Sequence, residues 1–268
     1  MKDESISNVL FFSEKRRQIL LYLLEGPKTI DDIKTYLNSK SSPIMVQIRI
    51  LTRNFLIQEK NGVFSLTPLG EYTVGEMKKI LDMFCVFDKN PEYWGEADLN
   101  AFPPYLLDRI GDLGNLELCH PKKAYIFDRA AQVEKCLKEA RSVVEITSIF
   151  RQEYPARYME LAEKGISLTL IMTREVLCRL EEEFFENYHK LMVLENVRVF
   201  MCPDLKLASC VITDKILSLS LFTKSGNFYN HDLISRDESA LLWGTDLFHH
   251  FRSLSMIHNL QEEKEWKS

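Results

Sequence analysis

The chain has 268 residues, of which 46% are hydrophobic and 27% are charged, and its formal net charge is −5. This length exceeds one typical domain and suits two, and the apolar content is sufficient for real cores. The first 87 residues carry 12 Lys and Arg against 10 Asp and Glu, whereas the remainder carries 22 against 29. A slightly basic front end can approach a polyanion, and the acidic body would not.

Composition and motifs also exclude several classes of protein. The polar start MKDESIS lacks an export signal, and nowhere do about 18 apolar residues run together, so we expect a cytoplasmic protein with no membrane partner. Six dispersed cysteines without a CxxC pair favour buried free thiols over disulfides or a metal cluster. No phosphate loop or dinucleotide fingerprint is present, so the sequence predicts no cofactor and no metal.

The first predicted elements are two short helices. Ser13 is the expected N-cap of the first helix, and Gly26-Pro27 ends it. Thr29 is the expected N-cap of the second, where Asp31 and Asp32 suit the positive end of the helix dipole.

A third helix is predicted within SSPIMVQIRILTRNF, residues 41–55. Ser41 or Ser42 is the expected cap and Pro43 fits the first helical position. The predicted buried face consists of Ile44, Ile48, Leu51 and Phe55, which recur at helical spacing. The predicted outward face consists of Met45, Gln47, Arg49, Ile50 and Arg53.

A β-hairpin and another helix follow. Residues 56–60 and 63–66 flank Asn61-Gly62, a pair that tolerates the positive φ angles of a tight hairpin turn. Thr67-Pro68 then begins a helix that reaches roughly residue 87. Three helices followed by a hairpin is the order of a winged helix-turn-helix, in which the third helix enters the DNA major groove and the wing reaches the neighbouring backbone.

The polar side chains of this arrangement predict a DNA interface. Gln47 can pair with adenine and Arg49 with guanine, whereas Lys40, Arg53 and Lys60 suit phosphate contacts. The predicted DNA-binding set comprises Lys40, Ser41, Ser42, Met45, Gln47, Arg49, Arg53, Lys60 and Asn61. The alternative is that these are solvated charges on a winged helix that binds protein.

Residues 13–74 resemble the winged-helix domains of ArsR and MarR type regulators. The stretch LIQEKNGVFSLTPLGEYTV is similar to their wing followed by the Y-x-L-T-x-x-G entry to the next helix, which residues 64–70 match. This resemblance specifies the domain and leaves its target genes open.

The remaining two-thirds of the chain predicts a packed connector and an α/β domain. The connector, 89–119, includes a short predicted helix over 104–110, and the proposed domains are 1–88 and 120–268. Alternating periodicity predicts a mixed sheet with flanking helices. The predicted helices are 130–140, 155–163, 175–191 and 237–256, and the predicted strands are 143–149, 166–172, 197–201, 207–213, 216–222 and one near Leu233.

Polar side chains at the ends of two of these strands predict a ligand site. Ser148 with Arg151, and Thr173 with Arg174, follow neighbouring strands. In open α/β sheets, ligands gather at the carboxyl ends of strands, where helix N-termini offer amide donors. The hypothesis is an anionic or polar small-molecule site, and the alternative is helix caps with solvated arginines.

This second region resembles the sensor domain of archaeal winged-helix regulators of the methanogenesis-regulator (FilR) type. The stretches that carry the resemblance are EYW…P…LLDRIGDL at 92–113, ITDKILSLSLFTKSGNFYNHDLIS at 212–235 and ESALLWGTDLF at 238–248. The resemblance implies a cytoplasmic, dimeric transcription regulator whose effector the family does not fix.

Such sensor domains also look distantly like the phospholipase D fold, which raises an enzymatic alternative. That chemistry needs histidine and lysine in an H-x-K-x-x-x-x-D array, but if Asp214 is the aspartate, those places hold Leu207 and Ser209. The sequence therefore predicts no enzyme of that class, but a DNA-binding regulator that forms a homodimer and takes a small-molecule effector. The competing predictions are an enzyme acting on a nucleotide or phosphate in the α/β domain, and a non-catalytic adaptor.

Overall fold

The computed structural model describes residues 5–119 and 131–258. The chain forms two compact units, Met1–Asp82 and Met83–Ser268. This division lies before the domain boundary predicted at residue 88, and residues 89–119, predicted as a connector, belong to the second unit. No helix in the described part of the chain is both long and apolar enough to cross a membrane.

The first unit has the element order of a winged helix-turn-helix. Its helices are α1 (Ile6–Phe11), α2 (Glu14–Leu24), α3 (Ile30–Leu37), α4 (Ser41–Arg53) and the start of α5 (Pro68–Lys89), and its strands are β1 (Lys28–Thr29), β2 (Ile57–Lys60) and β3 (Val63–Leu66). The hairpin lies where the sequence predicts it, with Asn61 at φ 53° and Gly62 at φ 80°. Helix α1 and strand β1 are additions to the prediction, and β1 pairs antiparallel with β3.

The predicted caps of α2 and α3 are present. The Ser13 hydroxyl accepts a hydrogen bond from the Arg16 amide at 3.4 Å. At α3, the Thr29 hydroxyl accepts from the Asp32 amide at 3.2 Å, and the Asp32 carboxylate accepts from the Thr29 amide at 2.8 Å. This reciprocal capping box satisfies two amides that the helix leaves without partners.

The predicted start of α4 is wrong. The N-cap is Lys40, with extended backbone geometry and no side-chain hydrogen bond, so Ser41 and Ser42 lie in the first helical turn and Pro43 is the third helical residue. Pro43 has no N–H, so the amides of Ser41 and Ser42, which no side chain of the N-cap residue satisfies, are left available to other acceptors.

The assignment of Phe55 to the buried face of α4 is also wrong. The helix ends at Arg53, and Phe55 has a left-handed φ of 58° and a side chain that is 73% exposed. The Phe55 amide donates to the Thr52 carbonyl and the Leu56 amide to the Leu51 carbonyl, both at 3.0 Å. This Schellman motif reverses the chain and buries Leu56 in place of Phe55.

The second unit is built around one large mixed sheet. Its helices after α5 are α6 (Pro91–Glu96), α7 (Pro104–Leu107), α8 (Ala131–Lys138), α9 (Tyr154–Glu163), α10 (Arg174–Glu183), α11 (Phe185–Met192) and α12 (Glu238–Ser253), with 3₁₀ turns at Leu99–Ala101 and Ile110–Leu113. Its strands are β4 (Glu117–Cys119), β5 (Ser142–Thr147), β6 (Ser167–Met172), β7 (Val197–Met201), β8 (Ser209–Thr213), β9 (Leu217–Ser220), β10 (Asp232–Ser235) and β11 (Met256–Ile257).

The strand order is β11-β7-β6-β5-β8-β9-β10-β4, with β5, β6 and β7 parallel and the other pairs antiparallel. A mixed sheet with flanking helices is therefore confirmed. The edge strands β4 and β11 were not predicted, because runs of two or three residues carry little periodicity. The helix predicted over 175–191 is two helices that break at Phe184, and residue 130 of the helix predicted over 130–140 lies outside the described residues.

Side chains alternate between the two faces of the sheet and form two apolar layers. Val143 and Leu170 face the layer that contains α8 to α11, whereas Ile146 and Ile171 face the layer that contains α12 and residues 93–116. In the second layer, the Trp94 indole N–H donates to the Val86 carbonyl at 3.1 Å. Residues 93–116 are thus part of this unit's core.

The expectation of buried cysteines is correct only in part. All six are free, but only Cys202 and Cys210 are buried, while Cys85 and Cys178 are exposed. Burial, followed by the charge of Glu117, raises the pKa of the Cys119 thiol above its usual value. That thiol is therefore protonated at neutral pH and poorly suited to redox sensing.

Candidate nucleic-acid interface

Helix α4 packs one face into the core of the first unit and presents the opposite face to solvent. Ile44, Ile48 and Leu51 are buried against α2, α3 and the hairpin. The exposed line on the other side consists of Ser42, Val46, Arg49 and Arg53, which follow one another at three- and four-residue spacing.

Three of the predicted outward residues are only partly accessible. Met45 and Ile50 pack against the core, and Gln47 is half-buried on the flank of the helix. Val46, in contrast, is 50% exposed and was missed. Its position, four residues after Ser42 and three before Arg49, is the periodic signal that would have identified it.

The exposed N-terminus of α4 carries three predicted contacts, Lys40, Ser41 and Ser42. All three are exposed, and the first-turn amides beside them lack a side-chain cap. The positive end of a helix with a lysine and two hydroxyls can hold an anion such as a backbone phosphate.

The wing offers a second group of polar residues. Lys60 and Asn61 are exposed at the hairpin turn, and Lys60 pairs in register with Val63. The side-chain amide of Gln58 donates to the Ser65 hydroxyl across the strands at 3.4 Å. Because Lys60 and Asn61 are exposed at the turn, the tip of the wing is the part of the hairpin that can contact a nucleic-acid backbone.

Cations dominate this surface. Lys40, Arg49, Arg53 and Lys60 are all exposed, and none of them forms a salt bridge with any other residue in the described part of the chain. Their charges are therefore available to phosphates without the loss of an internal ion pair.

Contacts with α2 and with the start of α5 hold helix α4 in position. The buried Arg16 guanidinium donates to the Val9 carbonyl at 3.1 Å and to the Asn8 carbonyl at 3.3 Å. These bonds fix α1 on α2, and α2 packs directly against α4. At the other end, the Thr67 hydroxyl donates to the Phe55 carbonyl at 2.5 Å and so ties the start of α5 to the end of α4.

The four predicted ligand residues of the second unit lie at the carboxyl ends of β5 and β6, which are neighbours in the sheet. The Ser148 hydroxyl donates to the Leu207 carbonyl at 2.7 Å, and the Thr173 hydroxyl caps α10 by accepting from the Val176 amide at 3.4 Å. Arg151 is buried with its guanidinium carbon 5.7 Å from the centre of the Phe228 ring, whereas Arg174 is exposed. Both hydroxyls therefore serve the fold.

A row of buried polar side chains beside these residues was missed. Thr147, Ser209 and Ser220 lie opposite one another on β5, β8 and β9, and the Ser220 hydroxyl donates to the Asp232 carboxylate on β10 at 2.6 Å. The repeated serines of SLSLF, residues 218–222, within an otherwise apolar strand are the sequence signal that could have predicted this row. The hydrogen bond between Ser220 and Asp232 links β9 to β10 and satisfies two buried polar groups.

The positions that a phospholipase D-type site requires hold other side chains. Leu207 and Ser209 are buried, and the Asp214 carboxylate accepts a hydrogen bond from the Arg141 amide at 3.2 Å. In the described residues no group of three or more His, Cys, Asp or Glu side chains is arranged to hold a metal ion.

Comparison with known proteins identifies relatives for most of the chain. Residues 4–85 match the N-terminal domain, and residues 126–254 the middle domain, of Methanogenesis regulatory protein FilR1. The Methanogenesis regulatory protein FilR1 of Methanothrix harundinacea (strain 6Ac) is 24% identical over 250 residues. That alignment covers 91% of this chain and 56% of the relative, so the chain spans about half the length of that relative.

Two solved structures are also similar. TrmBL2, described as an archaeal chromatin protein with a novel mode of DNA binding, has a TM-score of 0.42 and 12% identity, covering 94% of this chain and 99% of its own. Nuc, a phospholipase D family member from Salmonella typhimurium, has a TM-score of 0.39 and 7% identity, covering 54% and 98%. At these TM-scores neither similarity supports an inference about function.

The two domain matches together span more than three quarters of the chain and occur in the same order as the two units. The chain therefore belongs to the FilR1 family of archaeal methanogenesis regulatory proteins.

Proposed function

We propose that this chain is a DNA-binding transcription regulator, in which the first unit reads operator DNA and the second unit senses an effector or mediates dimerisation. The observation that carries the proposal is the set of four exposed cations on α4 and the wing, Lys40, Arg49, Arg53 and Lys60, which have no internal salt-bridge partners in the described residues. Membership of a family of regulatory proteins supports it.

The roles of individual residues follow from their positions. Arg49, in the middle of the exposed line of α4, suits a base contact in the major groove, and Gln47 can reach a base edge from the flank. Arg53, Lys60 and the N-terminal turn of α4 suit phosphate contacts that set the register. In a homodimer, two such helices would lie about 34 Å apart, one turn of DNA.

The sharpest test removes the two base-reading side chains together. The variant with Gln47→Ala and Arg49→Ala should bind the promoter of its own operon at least about 30-fold more weakly, since a good base contact is worth about 1–3 kcal/mol. Fluorescence anisotropy at several salt concentrations measures the affinity. Lys190→Ala, which removes an exposed charge on α11, is the matched control and should bind like the wild type.

The salt dependence of DNA binding distinguishes phosphate contacts from base contacts. Arg53→Ala should weaken binding to every duplex and reduce the slope of log K against log salt by about 1. Unchanged affinity and site preference in the Gln47 and Arg49 double variant would contradict the proposed recognition surface.

The exposed line of α4 also favours a second candidate, a non-catalytic adaptor that binds another protein. Val46 is 50% exposed in the middle of that line, and an apolar side chain there suits a protein partner as well as a thymine methyl group. Failure to bind genomic DNA at low salt, together with a stable protein complex, would favour the adaptor.

An effector could act only if its affinity for the second unit differs between two arrangements of the dimer. If the second unit binds a ligand more tightly in one dimer arrangement than in another, the ligand shifts the spacing of the two recognition helices. The predicted residues Ser148, Arg151, Thr173 and Arg174 remain a proposal for that ligand's site, with alanine substitution of Arg174 and a binding assay as the test. Turnover that is abolished by substitution of Arg151 or Arg174 would instead support the enzymatic alternative.

A further inference from the structure

A cleft of about 260 Å³ lies in the second unit, where three separate chain segments meet. Residues 100–104 form one side, the loop that follows β7 forms another, and the C-terminal end of α12 forms the third. The cleft is thus beside the carboxyl end of a parallel strand, the edge at which open α/β sheets bind ligands. None of the four ligand residues predicted from the sequence lines it.

The floor of the cleft is apolar and rigid. Phe102 and Phe251 are each 4% exposed, so most of both rings is packed in the core. The Phe102 ring meets the Trp243 ring edge-on with centres 5.1 Å apart, and the Trp243 indole N–H donates to the Leu106 carbonyl at 2.9 Å. These contacts hold the floor in place before any ligand arrives.

Two opposite charges stand at the rim. Asp204 and Lys206 are exposed, while the alternating residues Leu205 and Leu207 are buried, so both charged side chains project away from the core. In the part of the chain that the structure describes, neither charged group forms a salt bridge or a side-chain hydrogen bond. Both charges can therefore bind an incoming molecule.

The third side of the cleft favours a positive group. The C-terminal end of α12 carries the negative end of the helix dipole, which attracts cations. His250 lines the cleft there, and burial lowers the pKa of its imidazole below the usual value. The ring is therefore neutral at pH 7 and does not repel an ammonium group.

We propose that this cleft binds a small zwitterion with an apolar side chain, of the free aliphatic α-amino-acid type. Lys206 would hold the carboxylate and Asp204 the ammonium group, while the exposed apolar residues of the lining, Pro104 and Leu254, would contact the apolar part above the phenylalanine floor. The volume of the cleft lies just below the range of ordinary ligand pockets and suits a small molecule better than a nucleotide, and the paired charges disfavour a simple anion. The inference goes beyond the proposed DNA binding, and its test requires no DNA.

The test is isothermal titration calorimetry of the full chain with L-leucine. Three compounds isolate the three contacts: 4-methylpentanoate lacks the ammonium group, 3-methylbutylamine lacks the carboxylate, and glycine lacks the apolar side chain. L-leucine should bind, and each of the three should bind about tenfold more weakly or undetectably, because each leaves one contact unmade.

Substitutions then locate the site. Lys206→Gln and Asp204→Asn should each weaken L-leucine binding about tenfold. Lys190→Gln, a matched exposed lysine on α11, should have no effect. Both cleft residues are exposed, so thermal unfolding of these variants should match the wild type. Absence of L-leucine binding to the wild-type chain would overturn the proposal, as would binding that neither cleft substitution weakens.

Discussion

Two glycines in helix α5 provide a matched test of the close approach of α5 to Leu56, the residue that begins the wing. A Cβ at Gly70 would lie 2.9 Å from the carbonyl carbon of Leu56 and closer still to its oxygen, whereas a Cβ at Gly75 would meet nothing within 4 Å. Neither glycine has a positive φ, so alanine is conformationally acceptable at both positions. The same substitution in the same helix should therefore have opposite effects.

The expected magnitudes follow from these contacts. Gly75→Ala should stabilise the first unit by about 0.5–1 kcal/mol, because alanine favours helix and restricts the unfolded chain. Gly70→Ala must displace the Leu56 backbone, which costs about 1–3 kcal/mol by overpacking. It also strains the hydrogen bond from the Thr67 amide to the Leu56 carbonyl, now 3.0 Å, which is worth about 1 kcal/mol. Because alanine brings the same helix gain of about 0.5–1 kcal/mol here, a net destabilisation of about 1–3 kcal/mol should result.

Thermal unfolding followed by circular dichroism measures both changes, and hydrogen exchange assigns them to residues 5–82. For a unit of this size, about 1 kcal/mol corresponds to roughly 4–8 °C in Tm. Gly70→Ala should therefore unfold about 4–24 °C below the wild type, and Gly75→Ala a few degrees above it. If Gly70→Ala is as stable as the wild type, or if both variants shift in the same direction, the close approach of α5 to Leu56 is not what holds the wing.

Three further outcomes test other parts of the structure. The hydrogen bond from the Thr29 side chain lowers the pKa of Asp32 below 3.8, so its stabilising effect is present above that value and is lost as the pH falls through the lowered pKa. Asp32→Asn should accordingly lower Tm at pH 7 and converge with the wild type in acid, and a Tm difference that persists at the lowest pH would contradict this account. Phe55→Gly should change the free energy of unfolding by no more than about 1 kcal/mol, because relief of the left-handed backbone offsets the small loss of burial. Urea titration measures this change, and in the same experiment Phe64→Ala, in the core, should cost about 3–5 kcal/mol. Trp243→Phe should destabilise the second unit by about 2–4 kcal/mol, because it removes the indole hydrogen bond to the Leu106 carbonyl, which keeps only the Arg109 amide at 3.1 Å, and shrinks a fully buried side chain. Urea denaturation with an unchanged midpoint would refute that role.

The sequence by itself determined the elements whose signals are local. Ser13 and Thr29 cap helices, Asn61-Gly62 turns the hairpin, and the apolar repeat of Ile44, Ile48 and Leu51 defines the buried face of α4. These features depend on hydrogen bonds and side-chain spacing within a few residues, and such interactions can be read without knowing the fold. The same applies to the alternation of helix and strand that predicts the mixed sheet.

Only the tertiary structure decided the rest, because it depends on contacts between distant residues. Phe55 continues the apolar period of α4, yet Leu56 takes the core position once the chain reverses against α5. The two-residue strands β1 and β11 exist only because β3 and β7 offer them unpaired edges. The cleft at Asp204 and Lys206 likewise needs segments about 100 and 50 residues away, and no local pattern brings those together.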